Sequence, residues 1–360
     1  TRMINMKEKI KLPIHIDDVE SVTDCWIYNR VAIIKTSPYY RDWIASHYNL
    51  YSNSGNFHFG EINLYTPSYH EEILQRRPLR VFEMNSLNIV DILKREIKNG
   101  YYIIMHIKPY INEDYFHEAL FYGFDDNTKN FISVGIQSRS FQSIYIDYSH
   151  LENTIEDIKN SYIYNSFRGM ELSMNFQYPS TALKLNPSFK PSNCAYEAYL
   201  KLQRELDGKL FITQYPKTLN EYGYHHHHYM GITCLDAFKE TLQREINGDP
   251  FNDWFRGITS AAKKMYEHRC MIKTSMEYII EKWSIALTDK AIIAAKKYSV
   301  CILLSEKWLN LCLKYEINQD KKTLKRIIND IPEAFLKEKE ALNEFLYEGI
   351  DWGKFNTNFI

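Results

Sequence analysis

With 360 residues, 45% of them hydrophobic and 25% charged, the chain is long enough for two cores and ordinary in composition for a folded protein. Its formal net charge of −1 removes the general electrostatic reason to hold nucleic acid or an anionic membrane, so neither is expected as a partner. Six cysteines are scattered without a C-x-x-C pair, which speaks against a disulfide framework or a multi-cysteine zinc site and points to a reducing, cytoplasmic setting.

Met3 reads as an initiator methionine, so Thr1 and Arg2 read as an appended scar rather than a targeting signal, and no secretory apolar region follows. From Asp24 the run Cys25-Trp26-Ile27-Tyr28-Asn29-Arg30-Val31-Ala32-Ile33-Ile34 is apolar on one side, with Thr23 or Asp24 as capping oxygen. It predicts a buried helix with Cys25 in its first turn. Residues 86–98 form a second helical stretch, with Leu87, Val90, Leu93 and Ile97 on its apolar face and Asn99-Gly100 closing it.

Strand-like runs follow at 101–107, 118–124, 131–134 and 143–146. Between the second and third, Asp125-Asp126-Asn127-Thr128-Lys129 has the composition of a hairpin turn, since Asp and Asn hydrogen-bond their own backbone and tolerate left-handed dihedrals. After about Asp157 the texture becomes helical, at 195–206, 234–246, 259–287, 291–313 and 321–346. The stretch 291–313 is the most apolar, but Lys296, Lys297, Glu306 and Lys307 interrupt it, so it reads as a core helix rather than a membrane span of ~20 apolar residues. Residues 179–191 read as a linker or crossing loop. The pattern predicts an α+β protein: a mixed domain over 1–165, with a helix packed on an antiparallel sheet, and a mostly helical domain over 166–360.

Cys25 carries the first chemical argument. A thiol at a helix N-terminus has its thiolate stabilised by the partial positive charge there, which makes it a nucleophile near neutral pH; the bland alternative is a small buried hydrophobe. His117, at the start of a strand, is the candidate ion-pair partner and proton shuttle; the alternative is a structural or surface histidine, one of twelve in the chain. The tract His225-His226-His227-His228 could gather a metal or acidic ligand, but no carboxylate or cysteine spacing accompanies it, and it reads as a solvated polar loop ahead of the helix near Cys234. The basic runs Gln75-Arg76-Arg77-Pro78-Leu79-Arg80 and Lys321-Lys322-Thr323-Leu324-Lys325-Arg326 read as solvated faces, although the first could also meet an acidic carrier helix or a phosphopantetheine phosphate. No phosphate loop, Gly-x-Ser-x-Gly elbow or His-Glu-x-x-His helix is present.

The order Thr23-Asp24-Cys25-Trp26, a long gap, then Phe116-His117-Glu118-Ala119-Leu120-Phe121-Tyr122-Gly123-Phe124-Asp125-Asp126 resembles the papain-like fold. Specifically, it is similar to the N-terminal domain of butirosin biosynthesis protein H, itself similar in fold to bacteriocin-processing cysteine peptidases, and to the papain-like amide synthase of closthioamide assembly. The resemblance covers roughly residues 15–150 and implies a cysteine-protease fold put to acyl transfer: from the thioester of a phosphopantetheinyl acyl or peptidyl carrier protein, through acyl-S-Cys25, to a small amine, with no cofactor. Two departures stand out. The family's third catalytic Asp or Asn falls near Ser133-Val134-Gly135-Ile136-Gln137, where no carboxylate occurs, so Gln137, a group from elsewhere or a dyad is expected. Val19 stands where papain-like peptidases carry an oxyanion-hole glutamine, which weakens a peptidase more than a transferase, since a thioester is already activated. The alternatives are a cysteine peptidase or amidase, recognised by free acid rather than amide as product, and a non-catalytic binding protein on the same shell.

Overall fold

The computed structural model describes residues 8–17, 25–47, 49–53, 56–60, 73–108, 117–137, 140–161, 180–214, 225–248 and 257–354. The chain divides into two units, Thr1–Tyr40 with Asn63–Lys190, and Arg41–Ile62 with Pro191–Ile360. The expected boundary at 165/166 therefore moves to 190/191, and residues 41–62 leave the first unit for the second. The reason lies in strand pairing, which draws residues on both sides of the expected boundary into one sheet.

The first unit is built on that antiparallel sheet. Among the described residues its order is β4 (Leu74–Pro78), β9 (Ser180–Leu185), β5 (Tyr102–Ile107), β6 (His117–Asp125), β7 (Asn130–Gln137) and β8 (Ser140–Asp147). β1 (Lys9–Lys11) pairs with β6 at Gly123–Asp125, beyond the end of the β5 ladder. The expected linker at 179–191 thus contains a central strand: the flanking prolines suggested a loop, but Ala182 and Leu183 are buried and the backbone bonds both β4 and β5. One face of the sheet packs on α3 (Ile89–Lys98) and α4 (Tyr148–Asn160) through Leu93, Ile97, Leu151 and Ile155, against Ile103, Met105, Phe121 and Phe131. α3 starts later than expected, because Asn85 and Asn88 fold the preceding residues into a turn with Asn85 N–H on Asn88 Oδ1 (2.7 Å). Leu87, expected on the apolar face, is 90% exposed there. α1 (Cys25–Ile34) packs against β6, its Ile27, Val31, Ile33 and Ile34 fully buried as their continuous apolar run requires.

The second unit is mostly helical: α5 (Cys194–Asp207), α6 (Cys234–Asn247), α7 (Ile258–Lys282), α8 (Asp289–Asn318) and α9 (Lys321–Asn343), with the short α2 (Tyr40–Ser46) reaching into it from residue 41. Leu202, Ile272, Met276, Trp283, Tyr298 and Phe345 lie in its core. α7 stops at Lys282 rather than 287, where a short 3-10 turn intervenes. The unit also holds a four-stranded antiparallel sheet among the described residues, β10 (Lys209–Gln214), β11 (His225–Met230), β2 (Asn49–Asn53) and β3 (Asn56–Gly60), in that order. The histidine tract is therefore strand, not loop: β11 bonds β10 on one side and β2 on the other. None of the described helices is long and apolar enough to cross a membrane.

Candidate functional site

Cys25 belongs to α1, whose described residues run Cys25–Ile34, and its expected place in the first turn depends on residues 18–24, which lie outside the described residues. The side chains of Cys25 and Gln137, and the whole of Val19, Thr23 and Asp24, lie outside the described part of the structure. What the structure does describe is how the first turns of α1 are fastened. Tyr28 stacks flat on Phe141, with ring centroids 3.8 Å apart and planes 11° from parallel, and its hydroxyl donates to the carbonyl of Ile16 at 2.5 Å. Asn29, one turn after Cys25, donates through Nδ2 to Glu118 Oε1 at 2.9 Å, and Arg30 Nη1 donates to the same oxygen at 3.1 Å.

Glu118 is the neighbour of His117, which opens β6. His117 pairs with Ile107 of β5 in register, whereas the ladder between β6 and β7 starts further in, at Leu120–Val134. Gln137 ends β7 at this same end of the sheet, paired with Ser140 of β8, and Phe141 beneath Tyr28 is the register partner of Ile136. The opening turns of α1, the start of β6 and the end of β7 thus meet at one end of the first unit. His117 Nδ1 lies 3.0 Å from the carbonyl oxygen of Glu118. A carbonyl only accepts, so Nδ1 carries the hydrogen and Nε2 is the basic nitrogen. A backbone carbonyl thereby fixes the tautomer, while the Gln137 side chain, one of the groups expected to orient the ring, lies outside the described residues. Ser133, in the stretch where a third catalytic side chain was sought, donates its hydroxyl to the carbonyl of Leu120 at 3.1 Å and is buried structure.

Glu118 is the residue that sequence reasoning missed. Burial alone would push its carboxyl up; the charges of Arg30 and His106, its register partner on β5, with the hydrogen bonds from Asn29 and Arg30, outweigh burial and hold its pKa below the ordinary value. The available signal was a carboxylate opening a run, Ala119 to Phe124, that is otherwise fully apolar or aromatic up to Gly123: a charge at such a position has to be paired.

The rest of the distinctive string serves the fold. A Cβ on Gly123 would sit 2.6 Å from the carbonyl oxygen of Ile10, so only glycine admits β1 there. Asp125 pairs with Lys9 at 2.9 Å and accepts the N–H of Asn127 at 2.9 Å, and Lys129 takes a left-handed φ of 54°, which together form the expected hairpin turn. Asp126 accepts from Lys94 at 2.6 Å and from the Tyr148 hydroxyl at 3.0 Å, tying the turn to α3 and α4.

Elsewhere, the basic run at 75–80 lies on the edge strand β4 and just past it, with Arg77 paired to Glu96 and Arg80 to Glu83. The side chains of residues 225–228 lie outside the described part. Among the other cysteines, Cys234, Cys301 and Cys312 are buried; burial pushes the thiols of Cys301 and Cys312 up to about 12, so these are poor nucleophiles. Comparison with protein-family models gives no match, and comparison with curated proteins finds no relative.

Proposed function

We propose that the chain is a cysteine-dependent acyltransferase on a papain-like scaffold, which moves an acyl group from a carrier-protein thioester through Cys25 to an amine. The observation that supports this reading is that α1, which carries Cys25, is bound one turn after it to the residue beside His117. A helix N-terminus lowers the pKa of a thiol, and a histidine whose Nδ1 carries the hydrogen has its proton-accepting lone pair at Nε2.

In the reaction, His117 takes the proton of Cys25, and the thiolate attacks the thioester carbonyl to form a tetrahedral oxyanion. Collapse expels the phosphopantetheine sulfur, which takes the proton from the His117 imidazolium and leaves as a thiol. The amine then attacks the acyl-S-Cys25 carbonyl, His117 removes the amine proton, and collapse releases the amide and the Cys25 thiolate, which recovers its proton from His117. Gln137, at the same end of the sheet, is a candidate to flank the imidazole. A cytoplasmic setting belongs to this reading, since a nucleophilic thiol has to stay reduced.

Intact-protein mass spectrometry with short acyl-pantetheine thioesters tests the reading. The parent chain is expected to gain one acyl mass, Cys25→Ala none, and His117→Ala to acylate ~10²–10⁴-fold more slowly. Loss of the adduct on adding a diamine, with amide formed, establishes transfer; free acid as the only product makes the chain a hydrolase. No adduct with any thioester overturns the reading.

A further inference from the structure

The buried polar group closest in the chain to His117 is not accounted for by the reaction above. Glu118 is 6% exposed and its carboxylate is filled from α1: Asn29 Nδ2 and Arg30 Nη1 both reach Oε1, and Arg30 also reaches Oε2 at 3.4 Å. A carboxylate only accepts, so it dictates which way the Asn29 amide faces and leaves Asn29 Oδ1 buried without a partner among the described residues. A polar bridge of this kind is poor at adding stability, because desolvation offsets most of its Coulomb energy, but it is specific about geometry. It ties the helix that carries Cys25 to the strand that carries His117.

We propose that Glu118 is a positioning residue: through Asn29 and Arg30 it fixes the distance and angle between the Cys25 thiol and the His117 imidazole. This rests on Cys25 and His117 being the reacting pair. The charged and titratable described groups that face Glu118 are Arg30 from α1 and His106 from β5.

The test follows alkylation of each thiol in the full chain by iodoacetamide across the pH range, read by peptide mass spectrometry. In the parent, Cys25 is expected to react fastest of the six cysteines, with a pH midpoint below that of an ordinary thiol. If it does not, the acyl-transfer reading falls and this proposal falls with it. Given a reactive parent, Glu118→Gln is expected to slow Cys25 about tenfold and to raise its midpoint, because a displaced imidazolium no longer holds the thiolate. A midpoint that falls shows Glu118 to be only a nearby negative charge whose removal favours the thiolate. That outcome overturns the proposal and leaves the acyl-transfer reading standing, as does an unchanged midpoint in a folded variant. Should Glu118→Gln fail to fold, Asn29→Ala removes one fastening while keeping the Arg30–Glu118 pair. It has to show the same slower rate and higher midpoint, and an unchanged profile overturns the proposal.

Discussion

Lys201 sits on α5 inside the helical unit with no accessible surface and, among the described residues, no hydrogen-bond partner for its amine. Burial disfavours the charged form and brings its pKa down to about 7, against a partial opposing pull from Glu205 and a further push from Arg204. Between about 7 and 10.5 the unfolded chain holds a proton that the folded chain has lost, so stability rises with pH across that window, and below it the folded state carries the full cost. His47 acts in the same direction at lower pH: burial first, then Lys201 and Arg204, lower it to about 4 against the bond to the Trp43 carbonyl, so acidification from 6.5 towards 4 favours unfolding. Lys201→Met is expected to raise stability at pH 7 by ~2–4 kcal/mol and to flatten the alkaline rise. Urea midpoints of parent and variant at neutral and alkaline pH check this. A parent whose midpoint is constant between pH 7 and 10 would contradict the assignment.

At the scale of elements, the β1–β6 contact gives the sharpest prediction. Gly123→Ala drives a methyl into the Ile10 carbonyl and forces β1 away from β6, at a cost of ~1–3 kcal/mol read as a lower urea midpoint. The hairpin at Asp125–Lys129 and the helices α5 to α9 were legible in the sequence, because turn chemistry and i, i+3, i+4 spacing are local signals. β9 was not: between prolines, Ala182 and Leu183 become strand only through β4 and β5, both distant in the chain. β11 was hidden for a similar reason, since four histidines show no apolar alternation and their extended state comes from the ladder with β10, joined at His228 by that with β2. For the candidate site, residue type singled out Cys25 and His117, and the helical run through Ile34 was legible from its apolar residues. The Glu118 bridge is a tertiary pairing, and nothing within a few residues of it announces Asn29 and Arg30 as its partners.

At the scale of the whole molecule, the chain passes between its two units at 40/41, 62/63 and 190/191. Residues 41–62 belong to the helical unit in substance: the Ser275 hydroxyl donates to the Ala45 carbonyl at 2.7 Å, Tyr278 donates to Asp42 at 2.6 Å, and Trp43, Ile44 and Ala45 are buried. A fragment ending at residue 190 is therefore expected to expose that apolar segment and bind a hydrophobic dye such as ANS. The same fragment with 41–62 replaced by a short Gly/Ser linker is expected to unfold cooperatively without binding dye. Cooperative unfolding of the uncut 1–190 fragment, with no dye bound, would show that the segment can fold without the helices.

The same crossing has a consequence during synthesis. β2 leaves the ribosome so long before its partner β11 that, at ordinary translation rates, the strand waits on the order of ten seconds or more for it. Throughout that interval Leu50 and the buried face of α2 have no core to enter, and the nascent chain presents a strand edge to anything nearby. Chaperone demand is therefore expected to concentrate on residues 41–53, and to last until the histidine strand and then α7, which carries Ser275 and Tyr278, have emerged.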